Sequence, residues 1–535
     1  MRQKTIFVVL CLLILSLIVA GCTGTKGTDS KPIETTTKLV IGTTLIPADI
    51  NLGDTNFGVF TELLCRPSLI TVNEKGEIMP FLADSWENIN GTTWTFHLNK
   101  SAVWEDGVPI TAEDVKFMME YRVAKHPTFS ASWSYVDSVD TPDDHTVVIK
   151  LNGPFKSFLE DMESPVIPKH VFQSIDDPLK YADKLASLSG GPFSFVNFDK
   201  QAGVLTYKVN DNYWGKKPNV DVIEIRTYKT KDVMMLALQN GEIDLPYIYG
   251  GNIDYYYLSN ILSNKNLKVD IYSPPAVAKV IYFNNNRTPY SSADLRIALS
   301  YAIDYSEINR LINGGFGEVA DAGFIPASAP NHIETRKMAF DKDKSIAMLD
   351  ALGYKDTDGD GFREMPDGKK FQPKILMGPE DTSSDNYRIG QLLKKYFNNV
   401  GIDIKLVYLD NPTKWDLVET KEDFDLWLGE ARTWMLTDYA GYWTGAFDAR
   451  SWGWAAVTDP EYTTMVDELI KTNDQAGTAK ILADMQHYYA DKLPSLPLYT
   501  RNEIQPYSNE YEGWKYHYIW GIFNLETMYS INQTK

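Results

Sequence analysis

Six positions between Asp356 and Asp367 have the residue types and spacing to hold a hard cation. Asp356, Asp358 and Asp360 place carboxylates at loop positions one, three and five, and Gly361 falls at six, where the chain must turn sharply. Phe362 offers a carbonyl at seven, Glu364 a carboxylate at nine, and Asp367 a shorter carboxylate than usual at twelve. Oxygen donors in this order suit calcium. The residues that follow, Gly368-Lys369-Lys370-Phe371, lead into a strand pattern rather than a helix, so any ion here would be structural. No other cofactor is expected.

A second kind of chemistry, the gripping of a ligand by aromatic faces and a few charges, is written into residues 424–454. Phe424-Asp425-Leu426-Trp427-Leu428 reads as a buried strand, and it runs into a glycine-broken stretch holding Trp434, Tyr439, Tyr442 and Trp443. That composition is awkward for a core helix and suits a cleft. Arg432 can pair with a ligand carboxylate; alternatively Arg432 and Asp438 form structural ion pairs and the tryptophans pack between lobes. Tyr247, Tyr249, Tyr255, Tyr256 and Tyr257 form another aromatic cluster, suited either to an opposing cleft wall or to packing.

Catalytic patterns are missing. The chain has no GxSxG, P-loop or dinucleotide fingerprint, and its seven histidines are scattered without HExxH spacing. A nickel ligand assembled from His517 or other distant residues is not singled out. Glu430, Asp438 and Asp448 beside tryptophans would be the acids of a glycoside hydrolase, but isolated acids are usually solvated. The expectation is a binding protein and not an enzyme.

These residues must be positioned by alternating strands and helices. Lys38-Leu39-Val40-Ile41-Gly42, Trp94-Thr95-Phe96-His97-Leu98 and Val147-Val148-Ile149 have strand patterns. Thr111 and Asp114 have capping-box-like spacing ahead of an apolar-periodic run to Tyr121. Residues 373–408 read as strand, helix, strand. Lys374 to Met377 opens the unit, Ile389, Leu392, Leu393, Tyr396, Phe397 and Val400 share one helix face, and Ile402 to Tyr408 closes it. Asp459-Pro460 starts a further helix. The alternation predicts α/β lobes with largely parallel sheets.

The N-terminus supplies the location. Arg2 and Lys4 precede an apolar run, Ile6 to Ala20, too short to span a bilayer as a helix, and the run ends Val19-Ala20-Gly21-Cys22. This resembles a bacterial lipobox, which makes 1–21 a cleaved signal and Cys22 the lipidated first residue. Residues 22–37 are a flexible tether with a reach of roughly 20 Å. The chain carries a net charge of −19, which deepens by two when the signal leaves; this argues against nucleic acid and against lying on an anionic lipid surface. Of three cysteines, only Cys65 lies in the body, within an apolar stretch that marks it as buried and inert.

Ordered blocks run the length of the chain: Pro80 to Glu87, Trp94 to Leu98, Trp104 to Val115, Gly190 to Phe193, Asn210 to Trp214, Leu238 to Asp244, Phe283-Asn284, Leu295 to Asp304 and Leu493 to Tyr499. Through these blocks the chain, from about residue 38 to 530, resembles the peptide/nickel family (family 5) of extracytoplasmic solute-binding proteins of ABC importers. The resemblance implies an α/β, two-lobed, periplasmic-binding-protein-like (class II) fold. Lobe I would comprise 38–71 with 166–277 and 505–535, enlarged by an inserted subdomain over 72–165, and lobe II would comprise 278–504. It also implies that Asp438 matches the aspartate that pairs with a peptide's α-ammonium in relatives, although Ala440-Gly441-Tyr442-Trp443 stands where relatives continue with an Asp-Pro pair. The expected role is a lipid-anchored, monomeric receptor that closes over an oligopeptide or dipeptide and delivers it to an ABC permease. The same role for oligosaccharide or chelated nickel, and a sensory binding protein, are the other readings.

Overall fold

In the structure, a computed structural model, the apolar stretch Lys38–Thr43 forms an interior strand, flanked in parallel by Val222–Thr227 on one side and Leu245–Tyr247 on the other. Beyond Val222–Thr227 the sheet continues antiparallel through Val204–Val209 and Phe193–Asp199. This five-stranded sheet is therefore mixed, not largely parallel. The cause is local. Phe193–Asp199 and Val204–Val209 are joined by a short turn closed by Gly203, whose φ of 67° favours glycine, and strands joined this tightly pair antiparallel. The described residues are 36–534 except 126–134, 156–157, 178–179, 249–252, 274–278, 330, 383, 431–458, 473 and 518–519. Cys22 and the signal lie outside them.

Helix Thr55–Cys65 buries Phe57, Phe60 and Leu64 against this sheet's core, and its N-terminus is capped by the Asp54 carboxylate, which accepts from Asn56 N at 3.0 Å. Cys65 is fully buried, and burial pushes its thiol up to about 12, so it is inert as composition implied.

Residues 83–151 hold a separate four-stranded antiparallel sheet, with Thr93–Leu98 and Thr146–Leu151 at its centre. Helix Ala112–Lys125 packs on it. Asp114 closes the helix start by accepting from Thr111 N at 2.8 Å, the reciprocal half of a capping box.

The second large sheet has six strands in the order Gly317–Val319, Ser495–Arg501, Lys279–Phe283, Leu426–Gly429, Lys374–Met377, Lys405–Tyr408. Only the last three are paired in parallel. Lys279–Phe283 runs against them, which makes this sheet mixed as well. Helix Asp385–Asn398 joins two of the parallel strands and buries Ile389, Leu393, Tyr396 and Phe397, the expected face. Ser384 caps it, accepting from Tyr387 N at 3.2 Å. Asp459 accepts from the Glu461 and Tyr462 amides with Pro460 at the first helical position, starting Pro460–Lys471. Thr37–Lys535 is one compact unit.

Candidate ligand-binding site

The three parallel strands of the second sheet end at a common edge, where ligands of α/β folds bind. Leu426–Gly429 is buried throughout and delivers Glu430 to that edge. Val280 pairs with Gly429, so the preceding residue, Lys279, arrives beside Glu430, and the two form an ion pair. The Lys279 side chain is only 3 % exposed, whereas Glu430 is half-open to solvent.

Aromatic rings pack beneath this edge, Trp427 and Tyr282 fully buried and Trp415 partly so. Trp427 and Tyr282 are cross-strand partners and stack at 4.5 Å with their planes 15° apart. Trp415 stands edge-on to Trp427 at 5.4 Å. Such contacts hold large flat surfaces in one orientation at low entropic cost.

Lys414 belongs to the short helix Asn411–Trp415 that follows strand Lys405–Tyr408. Asp410 caps this helix, accepting from Thr413 N at 2.9 Å. Lys414 is 9 % exposed, with its ammonium 4.3 Å from the Trp415 ring centroid and 5.7 Å from that of Trp427. Its ammonium makes no hydrogen bond or ion pair among the described residues. Burial lowers its pKa below the usual lysine range; Glu430 opposes that shift and Lys279 adds to it.

A second charged group adjoins. Arg501, at the end of Ser495–Arg501, lies 3.4 Å from the Asp385 carboxylate, and both side chains are buried. Burial tends to lower the Arg501 pKa, but Tyr499, Glu430, Asp385 and Asp254 together leave it raised. Asp254 is pushed up by burial and then by Asp385, with Lys231 at 3.6 Å opposing. The edge therefore offers cations and carboxylates within one electrostatic neighbourhood, an arrangement able to hold both ends of a zwitterion.

The expected contact residues Arg432, Trp434, Asp438, Tyr439, Tyr442 and Trp443 lie outside the described residues, in the segment that Glu430 leads into. Tyr247 packs on Phe60 and Phe523 and is core. Tyr255 stacks on Phe316 at 5.3 Å, and Tyr256 and Tyr257 both donate to the Asp232 carboxylate. Tyr249 lies outside the described residues. His517 is buried with its Nε2 3.4 Å from Glu163. Lys279, Lys414 and Arg501 are not singled out by sequence reasoning. The available signal is Lys279 heading an otherwise apolar strand, KVIYF.

Of the six candidate cation ligands, the structure brings a carboxylate oxygen of each of Asp356, Asp358 and Glu364 within 4.8 Å of the others. Asp360 pairs with Lys370 at 2.6 Å and Asp367 with Lys369 at 2.7 Å. Phe362 donates its amide to Asp360 at 2.9 Å.

A family model described as bacterial extracellular solute-binding proteins, family 5 Middle, matches residues 77–453. The oligopeptide-binding protein AppA of Bacillus subtilis is 24 % identical, with 98 % of each chain covered. Its structure with a nonapeptide superposes with a TM-score of 0.80 over 94 % of this chain and 100 % of that one, at 20 % identity. NikZ from Campylobacter jejuni with Ni(L-His) gives 0.76 at 19 % identity, covering 93 % and 99 %. A mannohexaose-bound periplasmic oligopeptide-binding protein from Thermotoga maritima gives 0.77 at 23 % identity, covering 94 % and 99 %. This likeness establishes the two-lobed α/β fold.

Proposed function

Because the chain belongs to the bacterial extracellular solute-binding proteins of family 5, we propose that it is a lipid-anchored receptor that captures an oligopeptide between its lobes and delivers it to an ABC transporter permease. The observation that carries the ligand class is the buried Lys414 ammonium at the sheet edge, which among the described residues meets aromatic faces and no carboxylate partner, with Glu430 nearby. A peptide presents a carboxylate for such a cation and an ammonium for an acid, and its apolar side chains suit the partly exposed Trp415 ring. Asp438, by its match to the family's ammonium-binding aspartate, completes the second charge pair. AppA, the relative bound to a nonapeptide, supports the same class.

The mechanism is hinge closure, in which a ligand bridging both lobes stabilises the closed form that the permease reads. No helix among the described residues is long and apolar enough to cross a membrane. Attachment is assigned to Cys22, and Cys22→Ser is expected to release the protein from membranes.

Mass spectrometry of ligand released from natively purified protein tests the class. Peptide is expected; a co-purifying oligosaccharide or nickel complex would replace it. Small-angle scattering is expected to show compaction with that ligand, and no compaction would sink the closure mechanism. Asp438→Ala is expected to weaken binding at least tenfold, and an unchanged affinity would remove it from the site.

A further inference from the structure

We propose that Asp356, Asp358 and Glu364 bind a calcium ion that fastens the 355–370 segment at the end of helix Asp385–Asn398, independently of the transported ligand. One carboxylate oxygen from each residue lies within 4.8 Å of the other two, and this is the sole such group of three among the described residues. Calcium holds oxygens at about 2.3–2.6 Å, so ligands on opposite sides of one ion stand roughly 5 Å apart. The three oxygens fall within that span.

Proximity of acids alone does not make a site, since exposed carboxylates cluster freely in water. Glu364 is different. It is 5 % exposed, and its Oε2 accepts from the Thr357 amide and hydroxyl at 2.7 Å each. Its Oε1 is shut away from solvent and accepts no hydrogen bond. A buried carboxylate oxygen without a donor is costly unless a cation or a proton meets it.

Three of the neighbouring cations are engaged elsewhere. The Arg363 guanidinium donates to Asp350, the Tyr354 carbonyl and the Val400 carbonyl. Lys370 and Lys369 are held by Asp360 and Asp367. What remains is an opening for an external hard cation. The donors are all oxygen, with no histidine or cysteine, which favours calcium over zinc or nickel. The Phe362 carbonyl, water, and Asp360 once released from Lys370 are the ligands available to complete a shell of six or more.

The consequence is mechanical. The Glu364 backbone pairs in single antiparallel β-bridges with Lys355 and Lys370, and Arg363 N donates to the Gly401 carbonyl, just beyond helix Asp385–Asn398. An ion at Glu364 would therefore tie three stretches of the segment at the point where it is joined to that helix's end.

The test uses the full chain in detergent, stripped with EGTA, and reads thermal unfolding and titration calorimetry with calcium chloride. One ion per chain is expected, with Tm rising by several degrees at 1 mM calcium and a smaller response to magnesium. Asp358→Asn, an exposed change that should fold, is expected to weaken calcium binding at least tenfold while leaving affinity for the transported ligand unaltered. Glu364→Gln separates ion from proton: under the proposal it abolishes the calcium response. No heat and no calcium-dependent Tm shift in the unmutated chain would overturn the proposal, as would an equal response to magnesium or a full calcium response in both variants.

Discussion

The Lys414 ammonium stands 4.3 Å from the centroid of the Trp415 ring, and no carboxylate among the described residues pairs with it. Lysine is almost never buried unless paired. A cation–π contact is worth about 0.5–2 kcal/mol, less than the several kcal/mol that desolvating an ammonium costs. The position is thus poorly explained by stability and well explained by an anionic partner that arrives with the ligand.

Lys414→Met is accordingly expected to raise the ligand's Kd at least tenfold, about 1.4 kcal/mol, while leaving Tm unchanged or higher. Calorimetry and thermal unfolding on the same preparation check this. A lowered Tm with unchanged Kd would make Lys414 a packing residue. Because burial lowers its pKa, the charged form is lost at a lower pH than for an exposed lysine, and binding of an anionic group should weaken correspondingly early as pH rises.

Asp244 should give the protein a stability that falls with rising pH. Its carboxyl is pushed up to about 6, chiefly by burial, with Glu510 adding and the Val40 amide, a donor at 2.8 Å, opposing. Between about pH 4 and 6 the native chain keeps a proton that the unfolded chain has released, so stability declines through that window and the loss is complete above it. A rise from 3.8 to about 6 corresponds to about 3 kcal/mol at most. Asp244→Asn keeps an acceptor for Val40 N and removes the charge. Guanidinium denaturation at pH 4.5 and 7.5 is expected to show a flatter dependence and a more stable variant at the higher pH; an unchanged slope would count against it.

Much of the scaffold is legible in the amino-acid sequence, and the reason is periodicity. Ile389, Leu393, Tyr396 and Phe397 share a helix face because spacing alone puts them there, and they are buried. The cap at Asp459-Pro460 is equally local. Strand direction is not local. Lys279–Phe283 lies between Ser495–Arg501 and Leu426–Gly429, segments more than a hundred residues away, so its antiparallel pairing leaves no mark in its own residues. The same holds for the site: Lys279 meets Glu430 across 151 positions, and the burial of Lys414 is set by Trp427 on another strand. Of the loop acids, spacing marks all of them alike, whereas pairing with Lys369 and Lys370 decides which face one another.

Arg501 screens two carboxylates from each other. It sits 3.4 Å from Asp385, which in turn helps push up the pKa of Asp254. Arg501→Met leaves Lys231 and Arg388 as the remaining neighbours, at 3.6 Å from Asp254 and 3.5 Å from Asp385. Removing one partner of a buried pair costs about 3–5 kcal/mol. Adding Asp385→Asn should recover part of that loss, so a double-mutant cycle by chemical denaturation is expected to show coupling. Strictly additive losses would mean that the two residues act independently.

Two glycines separate folding from binding. A Cβ on Gly191 would lie 2.9 Å from the Cys65 carbonyl carbon and 3.0 Å from the Leu64 carbonyl oxygen, and backbone atoms cannot rotate aside. A Cβ on Gly429 would come within 2.2 Å of the Trp427 ring, which is itself held by its stack on Tyr282. Each alanine substitution is expected to cost about 1–3 kcal/mol, the usual range for overpacking. They should differ in ligand affinity. Gly191 packs against helix Thr55–Cys65, so the folded fraction of Gly191→Ala should bind normally. Gly429→Ala displaces the buried Trp427 ring beneath Lys414 and should raise Kd even where the protein is fully folded. Equal affinities in the two variants would show that Trp427 does not shape the ligand's seat.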